Sequence, residues 1–273
     1  MHDTPSRLTA LADKLIPLVK AAGEIIVRHW RQASHARHKG RIDLVTETDE
    51  AVEAFLVREL GKLLPQAGML AEEGGASGPG TDELCWLLDP VDGTTNFVHR
   101  LPHVATSVAL WHRDRPLLGV VNAPMLGECY WAIRGQGAFC NGAGLRVSTT
   151  SGLEDSLVAT GIPYSIREDL PHILAQLAVV LPQTQNLRRM GAASLDLAYV
   201  AAGHLDAYFE TGLKPWDVAA GILLVSEAGG RVSRSDGAPF AFGDEILASN
   251  GHVHEAMRRL LQEAAASVRE RGA

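Results

Sequence analysis

The stretch Trp86-Leu87-Leu88-Asp89-Pro90-Val91-Asp92-Gly93-Thr94-Thr95-Asn96-Phe97 sets the reading of the 273-residue chain. An apolar run of strand length ends in two carboxylates, followed at once by a glycine and two hydroxyls. Proline fixes its own φ and disfavours helix at the residue before it, so a sharp turn is expected at Asp89. Such a turn can gather the Asp89 and Asp92 carboxylates and the Val91 carbonyl around one cation, and hard oxygen donors suit Mg²⁺. Gly93 permits close backbone approach, and Thr94-Thr95 can open a helix whose free amides face an anion. Taken alone, the same motif also reads as an Asx turn capping a helix, with no ligand.

Three other acids stand in company that matters. Glu72 lies in Ala71-Glu72-Glu73-Gly74-Gly75, just after the apolar pair Met69-Leu70. Asp49 sits at a helix start in Thr46-Glu47-Thr48-Asp49, and Asp217 opens an otherwise apolar helix in Lys214-Pro215-Trp216-Asp217-Val218-Ala219-Ala220. Each also has an ordinary reading: a loop acid for Glu72, and first-turn acids favoured by the helix dipole for the other two. Spacing alone does not bring these acids together.

Working outward, helical periodicity covers residues 5–30 and 48–64. Between them residues 33–42 are polar and basic, ending in Lys39-Gly40-Arg41. This connector can pair as a hairpin with residues 43–46 or lie over an anionic substrate. Strand-like runs follow at 85–88, 105–111, 116–123 and 128–133, separated or closed by Gly135, Gly137 and Asn141-Gly142 as in antiparallel pairing. After Val147, strands at 156–160, 207–210 and 246–248 alternate with helices at 169–181, 192–202, 216–228 and 252–269. The expected class is layered α/β with mixed sheets, divided into lobes 1–148 and 149–273 that form one catalytic unit.

Composition narrows the classes. With 46% hydrophobic residues the chain can bury a large core, and 21% charged residues without low-complexity segments exclude extensive disorder. A net charge of −7 argues against a broad nucleic-acid face, leaving Arg188-Arg189 as a local basic pair read as solvated surface. No apolar run reaches the roughly 18–20 residues that span a bilayer. Met1 to Lys20 interleaves Asp3, Arg7, Asp13 and Lys14 with apolar residues and so lacks the apolar core of a secretory leader. Cys85, Cys129 and Cys140 show no metal spacing and cannot all pair, which suits reduced thiols in a cytoplasm.

The Asp89-to-Thr95 segment, Glu72-Glu73 and Trp216-Asp217 together resemble the signature set of the inositol monophosphatase family, lithium-sensitive and magnesium-dependent phosphatases. The resemblance extends through Leu44-Val45-Thr46-Glu47-Thr48-Asp49, Gly137-Ala138-Phe139-Cys140-Asn141-Gly142, Gly191-Ala192-Ala193-Ser194-Leu195-Asp196 and Ala207-Tyr208-Phe209-Glu210. It implies the α-β-α-β-α sandwich shared with fructose-1,6-bisphosphatase, a homodimer, and two to three Mg²⁺ ions per active site. By that resemblance Glu72, Asp89 and the Val91 carbonyl hold the first ion, and Asp89, Asp92 and Asp217 the second. A third, weaker ion lies near Glu72, with Asp49 acting mainly through water. Gly93, Thr94 and Thr95 bind phosphate, while Ala193 and Glu210 contact the sugar alcohol. Glu72 and Thr94 orient the attacking water and accept its proton.

The resemblance is to inositol phosphatases in particular through Thr94-Thr95-Asn96-Phe97 and Tyr208-Phe209-Glu210-Thr211-Gly212. The implied reaction is hydrolysis of inositol 1-phosphate to myo-inositol and phosphate. Histidinol-phosphate phosphatase is the alternative substrate class, and fructose-1,6-bisphosphatase activity a further one. A different class of role is that of a regulatory binding protein of the transcription or ribosome machinery that retains phosphatase activity. Two positions depart from the common pattern: Ala71 where glycine is frequent, and His103 where an aromatic residue often follows proline.

Overall fold

The side chains of the central strand alternate between two apolar layers, and that alternation builds the molecule. In a computed structural model describing residues 4–31, 36–38, 44–113 and 115–272, the helices are α1 (Pro5–Trp30), α2 (Glu47–Leu63), α3 (Thr94–Val98), α4 (Ile166–Val180), α5 (Ala193–Ala201), α6 (Pro215–Glu227) and α7 (His254–Gly272). The first strands are β1 (Ala36–His38), β2 (Leu44–Thr46), β3 (Gly68–Ala71), β4 (Gly75–Ser77), β5 (Leu84–Asp92), β6 (Ala105–His112) and β7 (Arg115–Ala123). They are followed by β8 (Glu128–Ile133), β9 (Gly137–Cys140), β10 (Ala143–Gly144), β11 (Leu157–Thr160), β12 (Asn186–Arg188), β13 (Ala207–Glu210), β14 (Arg231–Ser233) and β15 (Ile246–Ser249).

One sheet runs β10-β9-β8-β7-β6-β5-β3-β4, and only the β3–β5 pair in it is parallel. The other runs β12-β11-β13-β15-β14, parallel at β12-β11-β13 and antiparallel beyond. On β5, Trp86 and Leu88 join the cluster under α1 and α2, while Cys85 and Leu87 face the cluster containing α5 and α6. On β13, Tyr208 joins that same central cluster, while Ala207 and Phe209 face α4 and α7. Period-two side chains buried on both faces require helices on both sides of each sheet. The order of layers is therefore α1/α2, large sheet, α5/α6, small sheet, α4/α7, the sandwich expected from the family resemblance.

Small residues bring the middle layer close to the large sheet. A Cβ on Gly119 of β7 would lie 2.9 Å from the Ala220 Cα of α6. Among the described residues, no helix is long and apolar enough to cross a membrane.

The basic connector pairs in part as expected. β1 lies antiparallel to β2, with Ala36 opposite Thr46, whereas Lys39-Gly40-Arg41 falls outside the described residues. The sharp turn expected at Asp89 does not occur. β5 continues through Pro90 to Asp92, with a register shift between Asp89 and Asp92. Two features remove the pressure to turn. β3 pairs with β5 only as far as Leu88, so the missing Pro90 N–H breaks no ladder bond there, and the Pro90 carbonyl accepts the Thr106 hydroxyl at 2.9 Å.

Candidate active site

The bulged end of β5 is where the acids meet. Ala71 lies opposite Leu88 in the parallel pair, and the Glu72 N–H donates to the Leu88 carbonyl at 3.2 Å, so Glu72 leaves β3 abreast of Asp89. Asp89 turns one carboxylate oxygen back to accept the Val91 N–H at 3.0 Å. Three residues on, the Asp92 carboxylate caps the start of α5: Oδ1 accepts the Ala193 N–H at 3.2 Å, and Oδ2 accepts the Ser194 N–H at 2.7 Å and its hydroxyl at 2.5 Å. Asp217 lies in the first turn of α6, where its Oδ2 accepts the Lys214 N–H at 2.7 Å. Two helix N-termini thus point at one cluster of carboxylates, where their dipoles favour negative charge.

Glu72, Asp89, Val91, Asp92 and Asp217 line a single pocket of about 270 Å³, together with Gly93, Thr94, Thr95, Ala193 and Glu210. Ten of the eleven residues anticipated from the sequence therefore share one pocket. The eleventh, Asp49, is fully buried behind it. Its Oδ1 accepts the Thr94 hydroxyl at 3.1 Å, and its Oδ2 accepts the Thr46 N–H at 2.9 Å and the Thr46 hydroxyl in a capping box. The Thr94 hydroxyl also reaches the Val91 carbonyl at 3.0 Å, which ties α2, α3 and the end of β5 together. Gly93 has φ +91°, and a Cβ there would sit 2.9 Å from the His103 carbonyl, so only glycine lets the chain turn into α3 at this place.

Burial sets the electrostatics. It pushes the Asp89 carboxyl well above the usual range, and Glu72, Asp92 and Asp217 add repulsion in the same direction. Asp217 is raised well above its ordinary value by the same burial, against the opposing Lys214 N–H, with Asp92 and Glu72 repelling it. Asp92 is raised by burial and held back by its bonds from Ser194. Asp49 is pushed up to about 6, again chiefly by burial. Carboxylates that raise one another in this way attract a cation, and the set, with the Val91 carbonyl beside it, is all hard oxygen. As the side chains stand, no three acidic, thiol or imidazole groups among the described residues converge on one point. Mg²⁺ asks for less than that. It takes hard oxygen donors and completes its shell with waters, so the chemistry of the carboxylates and the Val91 carbonyl fits it.

The part of the lining that comes from the small sheet is built differently. Glu210 ends β13, accepts the Tyr208 hydroxyl, and faces the bare backbone of Gly161, where a Cβ would fall 1.8 Å from its Oε2. Burial pushes its carboxyl up to about 7.

Several positioning residues were not legible in the sequence. Ser194 holds Asp92. Glu53, on the buried face of α2, accepts the Glu73 N–H at 2.9 Å and packs against Gly74, so it fixes the loop that carries Glu72. Asn96 donates to the His103 and Met190 carbonyls, both at 2.8 Å. Its position inside the quoted stretch was the only signal for it. Arg189, read as solvated surface, lines the pocket.

Comparison with known proteins gives one family and the same fold. A sequence model described as the inositol monophosphatase family matches residues 7–272. The chain is 39% identical over 260 residues to an inositol-1-monophosphatase of Synechocystis sp., covering 94% of this chain and 91% of that one. It is 42% identical over 242 residues to the Nus factor SuhB of Salmonella typhimurium, covering 87% and 90%. The crystal structure of the extragenic suppressor protein suhB from Bartonella henselae superposes with a TM-score of 0.89 at 37% identity, covering 93% of this chain and 98% of that one.

The role given to Glu53 is open to test. Glu53→Ala is expected to lower kcat/KM by about 10–100-fold and to raise the Mg²⁺ concentration needed for half-maximal rate, as loss of a residue supporting a metal ligand does. Glu53→Gln, which keeps an acceptor for the Glu73 N–H, is expected to lose less. Metal titration of phosphate release measures both.

Proposed function

The chain belongs to the inositol monophosphatase family, and from that premise we propose that it is a Mg²⁺-dependent phosphate monoesterase acting on inositol 1-phosphate. The observation that carries the proposal is the convergence of Glu72, Asp89, Asp92 and Asp217 on one pocket beside the Gly93-Thr94 turn. Glu72, Asp89 and the Val91 carbonyl would hold one ion, and Asp89, Asp92 and Asp217 a second, with a third near Glu72. Bound there, Mg²⁺ would neutralise phosphate charge and acidify water. Gly93 and Thr94 amides, with Thr95 at the rim, would bind the phosphate oxygens.

Glu72 and the Thr94 hydroxyl would orient the attacking water. Asp49 accepts from that hydroxyl, which fixes its lone pairs toward the pocket. Glu72 would take the water's proton, directly or through a second water. In-line attack then needs positioning and charge neutralisation more than covalent chemistry, and these residues supply the positioning. Ala193 and Glu210 would contact the leaving alcohol, Glu210 accepting hydrogen bonds from its hydroxyls. Histidinol phosphate is the competing substrate class. The halves 1–148 and 149–273 act as one unit in this reading, since the pocket takes residues from both.

Two partner proposals accompany the reaction. Leu170 and Leu174 on α4 and Leu181 just beyond it are 44%, 55% and 49% exposed, an apolar stripe that supports a homodimer. Leu170→Glu with Leu174→Glu is expected to shift the chain from dimer to monomer by light scattering. A dimer that persists in this variant would place the contact elsewhere. The likeness to a protein named Nus factor SuhB supports a second role, binding the transcription machinery from a cytoplasmic location. Co-purification of RNA polymerase with an Asp92→Asn chain is its expected result, and failure to recover it would remove that role.

The phosphatase reading is tested at the metal ligands. Asp92→Asn and Asp217→Ala are each expected to lower kcat on inositol 1-phosphate by at least 10³-fold with saturating Mg²⁺, about 4 kcal/mol of transition-state stabilisation. The circular dichroism spectrum should be retained, and the wild-type chain should be inhibited by millimolar Li⁺. Near-normal turnover in either variant would overturn the metal assignment.

A further inference from the structure

We propose that Arg189 is a specificity-determining residue that reserves the pocket for phosphate esters of neutral polyols and disfavours those of cationic amino alcohols. The inference rests on the phosphatase reading above and deepens it by naming the class of leaving alcohol.

Arg189 follows β12 directly and lines the same pocket as Glu210 and Lys214. Its guanidinium folds back over Gly191, where a Cβ would lie 2.6 Å from Nη1, and Gly191 keeps the space open with φ +84°. The Gly191 carbonyl in turn lies 3.3 Å from where a Gly93 Cβ would be, which sets this segment against the phosphate-side turn. Arg189 thus lines the pocket from its solvent side, with its guanidinium over Gly191. The exposed Lys214, at the start of α6, adds a second positive charge to the same rim.

The two groups that would read the alcohol work as a pair. Glu210 is pinned by the Tyr208 hydroxyl and lies over the bare backbone of Gly161, at the lining of the pocket. Left alone, a buried carboxylate there would be the natural partner of an ammonium group. Arg189 and Glu210 line the same pocket, and the guanidinium favours the ionised form of Glu210, against burial and after the Tyr208 hydroxyl. With that countercharge present, Glu210 serves as an acceptor for hydroxyls, while an incoming ammonium meets the guanidinium at the rim. Because Arg189 is exposed, the repulsion is screened by salt.

The test compares kcat/KM for inositol 1-phosphate and histidinol phosphate in the full-length Mg²⁺-loaded chain and in Arg189→Glu and Arg189→Gln. The preference for the inositol ester is expected to fall at least tenfold in Arg189→Glu, equivalent to about 1.4 kcal/mol, with Arg189→Gln between. In wild type the preference should shrink at 0.5 M salt. A preference in Arg189→Glu within twofold of wild type, with turnover of either ester measurable, would overturn the proposal and leave the phosphatase reading intact. If wild type hydrolyses neither ester, the phosphatase reading fails and the specificity proposal falls with it.

Discussion

Like-charge repulsion among buried carboxylates is the constraint to which the rest of the structure answers. Glu72, Asp89, Asp92 and Asp217 are pressed onto one side of a pocket, where burial and mutual repulsion disfavour their ionised forms. Such a set survives only if each acid is anchored by something other than water. For the three aspartates the anchors are backbone amides: Val91 for Asp89, Ala193 and Ser194 for Asp92, and Lys214 for Asp217. Amide donors stabilise a carboxylate without contributing a full positive charge. The acids therefore keep their attraction for a cation, which a set of lysine or arginine partners would have quenched.

The layered architecture follows from supplying those anchors. An amide donor pointing into a pocket is most readily found at a helix N-terminus, and α5 and α6 form the middle layer of the sandwich. Both begin at the pocket and pack back against the large sheet, α6 closely enough that β7 needs Gly119 beneath Ala220. The parallel pairing of β3 with β5 has a matching purpose. It makes both strands end at the same edge, so that Glu72 and Asp89 leave the sheet side by side. A hairpin between the two would have set their ends at opposite edges.

The sequence was legible wherever chemistry is encoded by covalent neighbours. Residues 86–97 carry two acids, the left-handed glycine and the Thr94 hydroxyl in one run, and the acids at Glu72 and Asp217 are marked by the apolar segments they bound. It was not legible where a residue acts across a long loop. Asn96 reaches Met190, Ser194 reaches Asp92, and Glu53 reaches Glu73, and no local pattern marks any of these pairs. The local rule failed at Pro90 for a related reason. Proline disfavours an inner strand through its missing donor, but β3 has already stopped pairing at that point, so tertiary context removed the penalty. Arg189 shows the same limit, since adjacent arginines on a polar run look solvated until the pocket beside them is known.

The residues that line the pocket differ in how they are held. The acids are set by a buried strand end and two helix starts, with Asp89 only 3% exposed, the Val91, Ala193 and Ser194 anchors inside regular elements and the Lys214 anchor at the N-cap of α6. Other lining residues come from the end of β13, the segment after β12 and the Gly161 turn, where Ile162 is 39% exposed and the side chains meet solvent on one side. Changes there alter the shape and charge of the pocket while the Val91, Ser194 and Lys214 amides keep their acids. The two sets of residues meet at the start of α5, where the Ala193 N–H holds Asp92 and Asn96 ties the segment after β12 to α3, so a change at the end of β13 is better insulated from the acids than a change at Gly191 or Ala193.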